Sequence, residues 1–375
     1  MSTRRLLVVT NDFPPRQGGI QSFVYELARR LPAGQLAVYA SDHPGSKAFD
    51  AGQDFPVRRH PGGLLTPTPR ARRRVLRARE DFGSTAVWFG ASAPLGLLAP
   101  PLRRAGVRRM VASSHGHEAG WAMLPGGRQA LRRIGNQVDV VTYLADYTRQ
   151  RLAGAFGPHP ALVQLTPGVD VDTFSPAVSG AAVRHRHGLT GRPVVVCVSR
   201  LVPRKGQDVL IQAMPAIAAR VEQAALLVVG GGPYQQKLRE LADRVGVADR
   251  VVFTGPVPAA ELPEYFAAGD VFAMPCRTRR LGMDVEGLGI VFLEASASGR
   301  PVVAGNSGGA PDAVRDGITG LVVDGRDVAG VAHQVGGLLA DPERAGRMGS
   351  AGRRWTEQAW QWGTMADRLA ELLQL

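Results

Sequence analysis

The sequence predicts an α/β protein built as two domains, each around a parallel sheet. Three observations carry this. Short apolar runs alternate with segments of helical periodicity along the chain, the pattern of strands and helices that cover both faces of a parallel sheet. The chain has 375 residues, more than one ordinary hydrophobic core serves. The charge is also divided: residues 1–166 hold 23 Lys+Arg and 10 Asp+Glu, whereas residues 167–375 hold 22 of each. The whole formal excess of +13 therefore belongs to the first half. Thr166-Pro167-Gly168 and Phe174-Ser175-Pro176 break the chain where the composition shifts. We place the boundary near 167–178, with domains over 1–170 and 171–354 and a last helical segment over 355–375.

Composition excludes several classes. The two cysteines, Cys197 and Cys276, sit in apolar, strand-like surroundings, so they read as reduced core residues of a cytoplasmic protein, without a disulfide framework or a metal site. The run after Arg4-Arg5 is too short for a signal segment. No apolar stretch approaches the ~20 residues that span a bilayer. A basic half suits nucleic acid, an anionic membrane surface or an anionic substrate. Aromatics are not interleaved with the basic run and no nucleic-acid module is present, so nucleic acid is the weakest of the three. No strand is followed by GxGxxG, which disfavours a nicotinamide dehydrogenase.

In chain order, Arg5–Thr10 reads as a first strand. Asn11–Gly19 is a loop of chain breakers, and Ile20, Phe23, Val24, Leu27 and Leu31 then fall at helical spacing. Gly18-Gly19 lets the backbone come close to a ligand at a helix start. Leu36–Ala40 is a second strand. Arg58–Arg79 begins as a Pro/Gly loop and continues as a helix bearing Arg70, Arg72, Arg73, Arg74, Arg77 and Arg79 around an apolar seam of Val75, Leu76 and Ala78. Such a helix is either a solvated face or a contact with lipid phosphates, each basic residue near an anionic surface contributing about 1 kcal/mol. Ala86–Gly90, Met110–Ser114 and Val138–Tyr143 are further strands. The second of these runs into His115-Gly116-His117-Glu118, at a strand end where α/β sheets bind ligands. HxHE without a third ligand suits a substrate hydroxyl better than a metal. Trp121, Met123 and Leu124 follow in a loop that either meets a bilayer surface or caps the core.

The second half repeats the pattern. Pro193–Ser199 is a strand, followed by Arg200, Lys205 and a helix over 208–219. Ala225–Val229 runs into Gly230-Gly231-Gly232 and a helix over 234–245. Val251–Phe253 leads to Thr254-Gly255. Val271–Met274 and Pro301–Ala304 are strands. Arg200 and Lys205, at one strand end, can neutralise a departing diphosphate by fixed charge. The most informative stretch is Thr278–Gly299. Gly287 and Gly289 break the chain before Ile290-Val291-Phe292-Leu293, which reads as a helix start with open N–H groups and partial positive charge. Glu286 lies on the loop ahead and Glu294 inside the helix. A loop carboxylate, open N–H groups and a helical carboxylate can hold the sugar, diphosphate and ribose of one ligand. The plainer alternative is an acidic helix start.

SRLVPRKGQ, VVGGGP, the Thr254-Gly255 turn and the two glutamates eight apart together resemble the retaining nucleotide-sugar glycosyltransferases of family 4. The likeness covers nearly the whole chain. TNDFPPRQGGIQS, SSHGHEAGWAMLPGGRQALRRIG and GMDVEGLGIVFLEASASG narrow it to the actinobacterial phosphatidylinositol mannosyltransferases. The resemblance implies a GT-B fold of two Rossmann-like domains facing across a cleft, with the last helix packing back on the first domain. It implies GDP-mannose as donor, phosphatidylinositol monomannoside as acceptor with an α-1,6 linkage, no metal, and a peripheral place at the inner membrane face. Arg200 and Lys205 would hold the diphosphate, with Gly18 and Gly19 approaching it from the first domain and Gly255 also lining the donor site. Glu286 would take sugar hydroxyls, Glu294 the ribose, and the N–H groups near Gly289, Ile290 and Val291 the phosphates. His115, or as second choice His117, would touch the transferred sugar. Catalysis would rest on His115, Arg200, Lys205 and Glu286. Asp12 would lie near the acceptor, and Arg72, Arg73, Arg74 and Arg77 would face acceptor or membrane. The rival is a soluble family 4 enzyme with another nucleotide sugar and a small or phosphorylated acceptor.

Overall fold

The computed structural model describes residues 4–375 apart from Ala33, His117, Met283 and the side chain of Leu281. The chain forms two compact units. One takes the residues up to Gly168 together with Trp362–Leu375, and the other takes Val169–Gln361.

The first unit holds seven parallel strands: β1 (Leu6–Thr10), β2 (Leu36–Ser41), β3 (Val57–His60), β4 (Ala86–Phe89), β5 (Arg109–Ser113), β6 (Val140–Tyr143) and β7 (Ala161–Gln164), in the order β3-β2-β1-β4-β5-β6-β7. Leu6 is paired with Leu36 on one side and Ala86 on the other. β1 is buried throughout, so its side chains alternate between two cores. Leu6 and Val8 pack with Phe23, Val24 and Leu27 of the helix Gly19–Ala28 and with Met365, Leu369 and Leu373 of the last helix, Trp362–Leu373. Leu7 and Val9 share the opposite core with Ala71, Val75 and Ala78 of the helix Pro69–Phe82.

The second unit holds β8 (Val194–Val198), β9 (Ala225–Val229), β10 (Val251–Gly255), β11 (Val271–Met274), β12 (Val302–Gly305) and β13 (Gly320–Val323), all parallel, in the order β10-β9-β8-β11-β12-β13. Both sheets are doubly wound, and each has a point where the strand order reverses: between β1 and β4, and between β8 and β11. Loops leaving the C-terminal ends of such a pair diverge and open a crevice, which is where ligands bind in open α/β sheets.

The elements differ from expectation at the edges. Val57–His60 is a strand rather than part of a Pro/Gly loop. β7 and β13 were not signalled. Cys197 lies in β8 as expected, whereas Cys276 lies just past β11, and both are fully buried free thiols. The terminal segment is not one helix. Pro342–Ala359 and Trp362–Leu373 are separate, and Trp355 belongs to the former, in the second unit.

Candidate active site

In the second unit the crevice between β8 and β11 is lined by the loops that follow them. β8 is followed by Ser199 and Arg200 and by a 3₁₀ turn, Pro203–Lys205. The helix Gln207–Arg220 then begins. Gln207 fixes this loop from inside, its Nε2 donating to Ser199 Oγ at 2.8 Å and to the Arg200 carbonyl at 3.2 Å. The glycine run after β9 is needed here: a Cβ on Gly230 would meet the Ser199 carbonyl at 2.2 Å, and one on Gly232 the Leu201 carbonyl at 2.3 Å. Gly230 also donates to the Gly255 carbonyl at 3.0 Å, which ties Gly255 to the same corner.

The loop after β11 brings the glutamate to this strand end. Lys205 Nζ lies 2.6 Å from Glu286 Oε2, and the two residues are 9% and 6% exposed. An ammonium and a carboxylate this deeply buried are tolerable only as a pair. Arg204 adds a second positive group, its Nε 3.9 Å from the same oxygen. The Glu286 backbone is clamped at both ends. Its N–H donates to Ser307 Oγ at 3.3 Å, and its carbonyl accepts from Gly309 N–H at 2.9 Å. A side chain on Gly308 would strike that carbonyl at 2.0 Å, so the residue facing Glu286 has to be glycine. Farther along, Arg277 grips Asp208 with two bonds of 2.9 and 2.6 Å, joining the loop after β11 to the helix that follows β8.

The helix start is as read from the sequence. Gly289, at φ +81°, turns the chain into Ile290–Ala297 without a side-chain cap. The first N–H groups at Ile290 and Val291 therefore stand open at the helix start. Glu294 is half-buried in that helix, and among the described residues nothing donates to its carboxylate. Burial pushes its pKa up to about 7. Arg200 is exposed, and no described group pairs with its guanidinium. Arg200, Lys205, Glu286, Gly255 and the helix start with Glu294 thus all belong to loops or helix starts at the C-terminal edge of one sheet.

In the first unit the crevice between β1 and β4 collects a second group. Asp12 is held by Gln21, whose Nε2 donates to Oδ1 at 2.7 Å. Gly18 precedes the helix that opens at Gly19, and a Cβ on Gly19 would meet nothing within 4 Å. His115 follows β5. Its ring packs edge-on against Phe23, and its Nε2 lies 2.6 Å from the Gly90 carbonyl, just past β4. His117 lies outside the described residues. Sequence reasoning missed Glu118. It is fully buried and accepts from Ser92 Oγ at 2.6 Å, Ser114 Oγ at 2.9 Å and His115 N–H at 3.2 Å. It locks the loop that carries His115. Its signal was present in HGHE, but an acidic residue after histidines reads first as a ligand.

The arginine helix needs a correction. Val75 and Ala78 face the core and Leu76 packs partly against it, so the apolar seam is not free for a bilayer. Arg72, Arg73 and Arg77 are exposed without a described partner, while Arg74 is half-buried. Arg74 instead lines a cavity of about 370 Å³ with His60, Thr68 and Arg70 at the C-terminal end of β3. His60 gives Nδ1 to a hydrogen bond with Tyr39 at 2.9 Å. Burial lowers its pKa, and Arg74 and Arg70 lower it further. The apolar segment expected as a loop is helical: Trp121 and Met123 lie in a short helix, Glu118–Met123, and Leu124 joins it to the helix Pro125–Gly135. Met123 and Leu124 are 60% and 64% exposed, and Leu64, ahead of the arginine helix, is 61% exposed.

Comparison with known proteins agrees with this geometry. Residues 17–173 match the family Glycosyltransferase Family 4, and residues 182–355 match Glycosyl transferases group 1. A Mycolicibacterium smegmatis protein is 57% identical over 98% of both chains; it is named GDP-mannose-dependent alpha-(1-6)-phosphatidylinositol monomannoside mannosyltransferase. The chain belongs to glycosyltransferase family 4. A Corynebacterium glutamicum relative of this enzyme is 48% identical over 100% of this chain and 98% of its own. It is named for the monoacylated form of the same acceptor. Among solved structures, Anabaena HepE in complex with UDP superposes with a TM-score of 0.81 at 21% identity. The match covers 99% of this chain and 100% of that one. Such a likeness establishes the fold: two Rossmann-like domains of the GT-B class.

Proposed function

We propose that this glycosyltransferase moves mannose from GDP-mannose to phosphatidylinositol monomannoside, forming an α-1,6 linkage with retention at the anomeric carbon. The observation that carries the reading is the likeness, at 57% identity over 98% of the chain, to a protein named for that reaction. The site chemistry supports it. Arg200 and Lys205 neutralise the donor diphosphate, and the open N–H groups at Ile290 and Val291 add to this. Glu286 exchanges part of its contact with Lys205 for sugar hydroxyls, and Glu294 takes the ribose. The acceptor hydroxyl attacks from the face the leaving phosphate occupies. The new glycosidic bond forms as the bond to GDP breaks, and the proton passes to the leaving phosphate. Charge grows on that phosphate in the transition state, and fixed cations there lower the barrier. Arg and Lys take the part a divalent metal would play. His115, fixed through Gly90 and Glu118, is the first-domain residue that meets the sugar, with Gly18 and Gly19 by the phosphates and Asp12 by the acceptor.

On the acceptor side, the cavity of His60, Thr68, Arg70 and Arg74 suits the lipid's phosphate, being polar and positive without an acidic lining residue. Arg72, Arg73 and Arg77, with Leu64, Met123 and Leu124, suit a peripheral contact with an anionic membrane at the cytoplasmic face. No helix among the described residues is long and apolar enough to cross a membrane. Calorimetric titration with GDP, UDP and ADP, repeated with EDTA, tests the donor. GDP preference unaffected by EDTA is the expected result. UDP preference would move the reaction to another sugar, and EDTA-sensitive binding would reinstate a metal. Product formation from GDP-mannose and phosphatidylinositol monomannoside tests the acceptor.

A further inference from the structure

The second unit has a cavity of about 420 Å³ lined by Arg184, Arg192, Pro193, Asp270, Arg300 and Leu339, with Gly346 at its rim. Pro193, Asp270 and Pro301 immediately precede β8, β11 and β12. The cavity therefore lies at the N-terminal edge of the sheet, opposite the edge that carries Lys205 and Glu286.

Three guanidinium groups line it against one carboxylate, and they are not equivalent. Arg184 is fully engaged: it pairs with Asp270 at 2.7 Å and donates to the carbonyls of Ala268 at 2.9 Å and Arg192 at 3.0 Å. Asp270 is engaged as well, its other oxygen accepting from Val194 N–H at 2.7 Å. Arg192 donates to the carbonyls of Gln223 and Ala224 at 3.1 and 3.4 Å. These two arginines staple loops to the sheet edge. Arg300 does not. Its Nε is buried without a hydrogen-bond partner, and no described group pairs with its guanidinium. Buried polar groups in folded proteins are overwhelmingly paired, and leaving one unpaired is costly. Burial accordingly lowers the Arg300 pKa, with attraction to Asp270 opposing and Arg184 adding to the drop. A guanidinium offers a planar fork that suits a carboxylate or phosphate. The remaining wall is apolar, with Leu338, Leu339, Pro342 and Ala345.

We infer that this cavity is a second ligand site, separate from the donor and acceptor sites, that takes a small phosphate monoester with a short apolar body, its phosphate on Arg300 and its carbons on Leu338 and Leu339. The polar end has one unsatisfied donor group to meet, and the apolar wall explains why the cavity is not simply an ion site.

The test is calorimetric or NMR titration of the full chain with n-butyl phosphate, inorganic phosphate and n-butanol. Butyl phosphate is expected to saturate one site below about 10 mM, a binding free energy modest for a ligand of this size. Inorganic phosphate should bind more weakly, and butanol not measurably. Arg300→Gln should weaken butyl phosphate at least tenfold, and Arg300→Lys should retain part of the binding. The Arg300 side chain donates no hydrogen bond among the described residues, and its backbone bond to the Ala295 carbonyl is kept in either variant, so the substitution leaves the fold in place. Gly346→Leu is an independent probe: a Cβ there meets nothing within 4 Å, and the side chain would occupy the cavity and block the ligand. Unchanged affinity in both Arg300→Gln and Gly346→Leu would put the anion elsewhere on this basic protein and overturn the site. So would the absence of saturable binding. Equal affinity for inorganic phosphate would overturn the apolar half of the assignment.

Discussion

Lys205 and Glu286 show how far single residues carry the function. Each was legible as a ligand group, but that they hold each other was not, because nothing in the sequence sets the distance between two loops far apart in the chain. The pairing changes what mutation does. Removing one partner of a buried ion pair leaves an uncompensated charge and costs about 3–5 kcal/mol. Lys205→Ala and Glu286→Ala should therefore each lower the melting temperature as well as abolish transfer. Lys205→Met with Glu286→Gln should recover most of the stability and none of the activity. Thermal unfolding of Lys205→Met, Glu286→Gln and their double variant, read as a cycle, checks this; additive losses would mean the pair contributes nothing. Glu294 gives a prediction in pH. Its folded pKa of about 7 stands above the ordinary carboxyl value of 4.5. Between those values the folded state binds more protons than the unfolded one, so its contribution to stability falls as pH rises through that window. If Glu294 takes the ribose as proposed, nucleotide affinity should move the opposite way, weakening below pH 7 as the carboxylate is protonated. Glu294→Gln should flatten both profiles, and an unchanged affinity profile would remove Glu294 from the ribose.

At the scale of the element, the helix Pro69–Phe82 was legible as a basic helix, but the direction of its apolar seam was not. A seam of Val75, Leu76 and Ala78 reads the same whether it meets lipid or a sheet, and here it meets the sheet. What remains for a membrane is charge. Neutralising Arg72, Arg73 and Arg77 should remove about 3 kcal/mol of binding to anionic vesicles at low salt, roughly a hundredfold in sedimentation partitioning. Wild-type binding should fade as ionic strength rises. Vesicle binding indifferent to these three residues would leave the exposed Leu64, Met123 and Leu124 as the contact. The central strands were read within a residue or two because burial on both faces makes them continuous apolar runs. In the first sheet the edge strands escaped for the converse reason. β3 is Val-Arg-Arg-His and half-exposed, and β7, Ala-Leu-Val-Gln, has only three apolar residues and is partly buried, so neither stands out as a long apolar run.

Over the whole molecule, two doubly wound sheets and the loops at their C-terminal edges were foreseeable, because strand–helix alternation leaves few topologies open. The course of the last residues was less so, since a helix with one apolar face does not say which core it completes. Trp362–Leu373 completes the first unit. Met365, Ala366, Leu369 and Leu373 are buried in its core, and Leu372 accepts a hydrogen bond from Arg109 at 2.7 Å. Leu369→Ala should cost about 2–5 kcal/mol. Hydrogen exchange should place the loss in the first unit, at β1, β4 and β5, while β8 to β13 keep their protection; a loss spread equally over both units would mean that the two unfold together. The same chain path bears on synthesis. Domains generally acquire structure in the order in which they leave the ribosome, yet here the residues up to Gly168 emerge first and still lack a wall. Phe23, Val24 and Leu27 wait for partners that are translated only after the entire second unit. The nascent first unit must stay soluble through that interval with part of its interior uncovered, and the gene order makes the later unit the earlier one to finish folding.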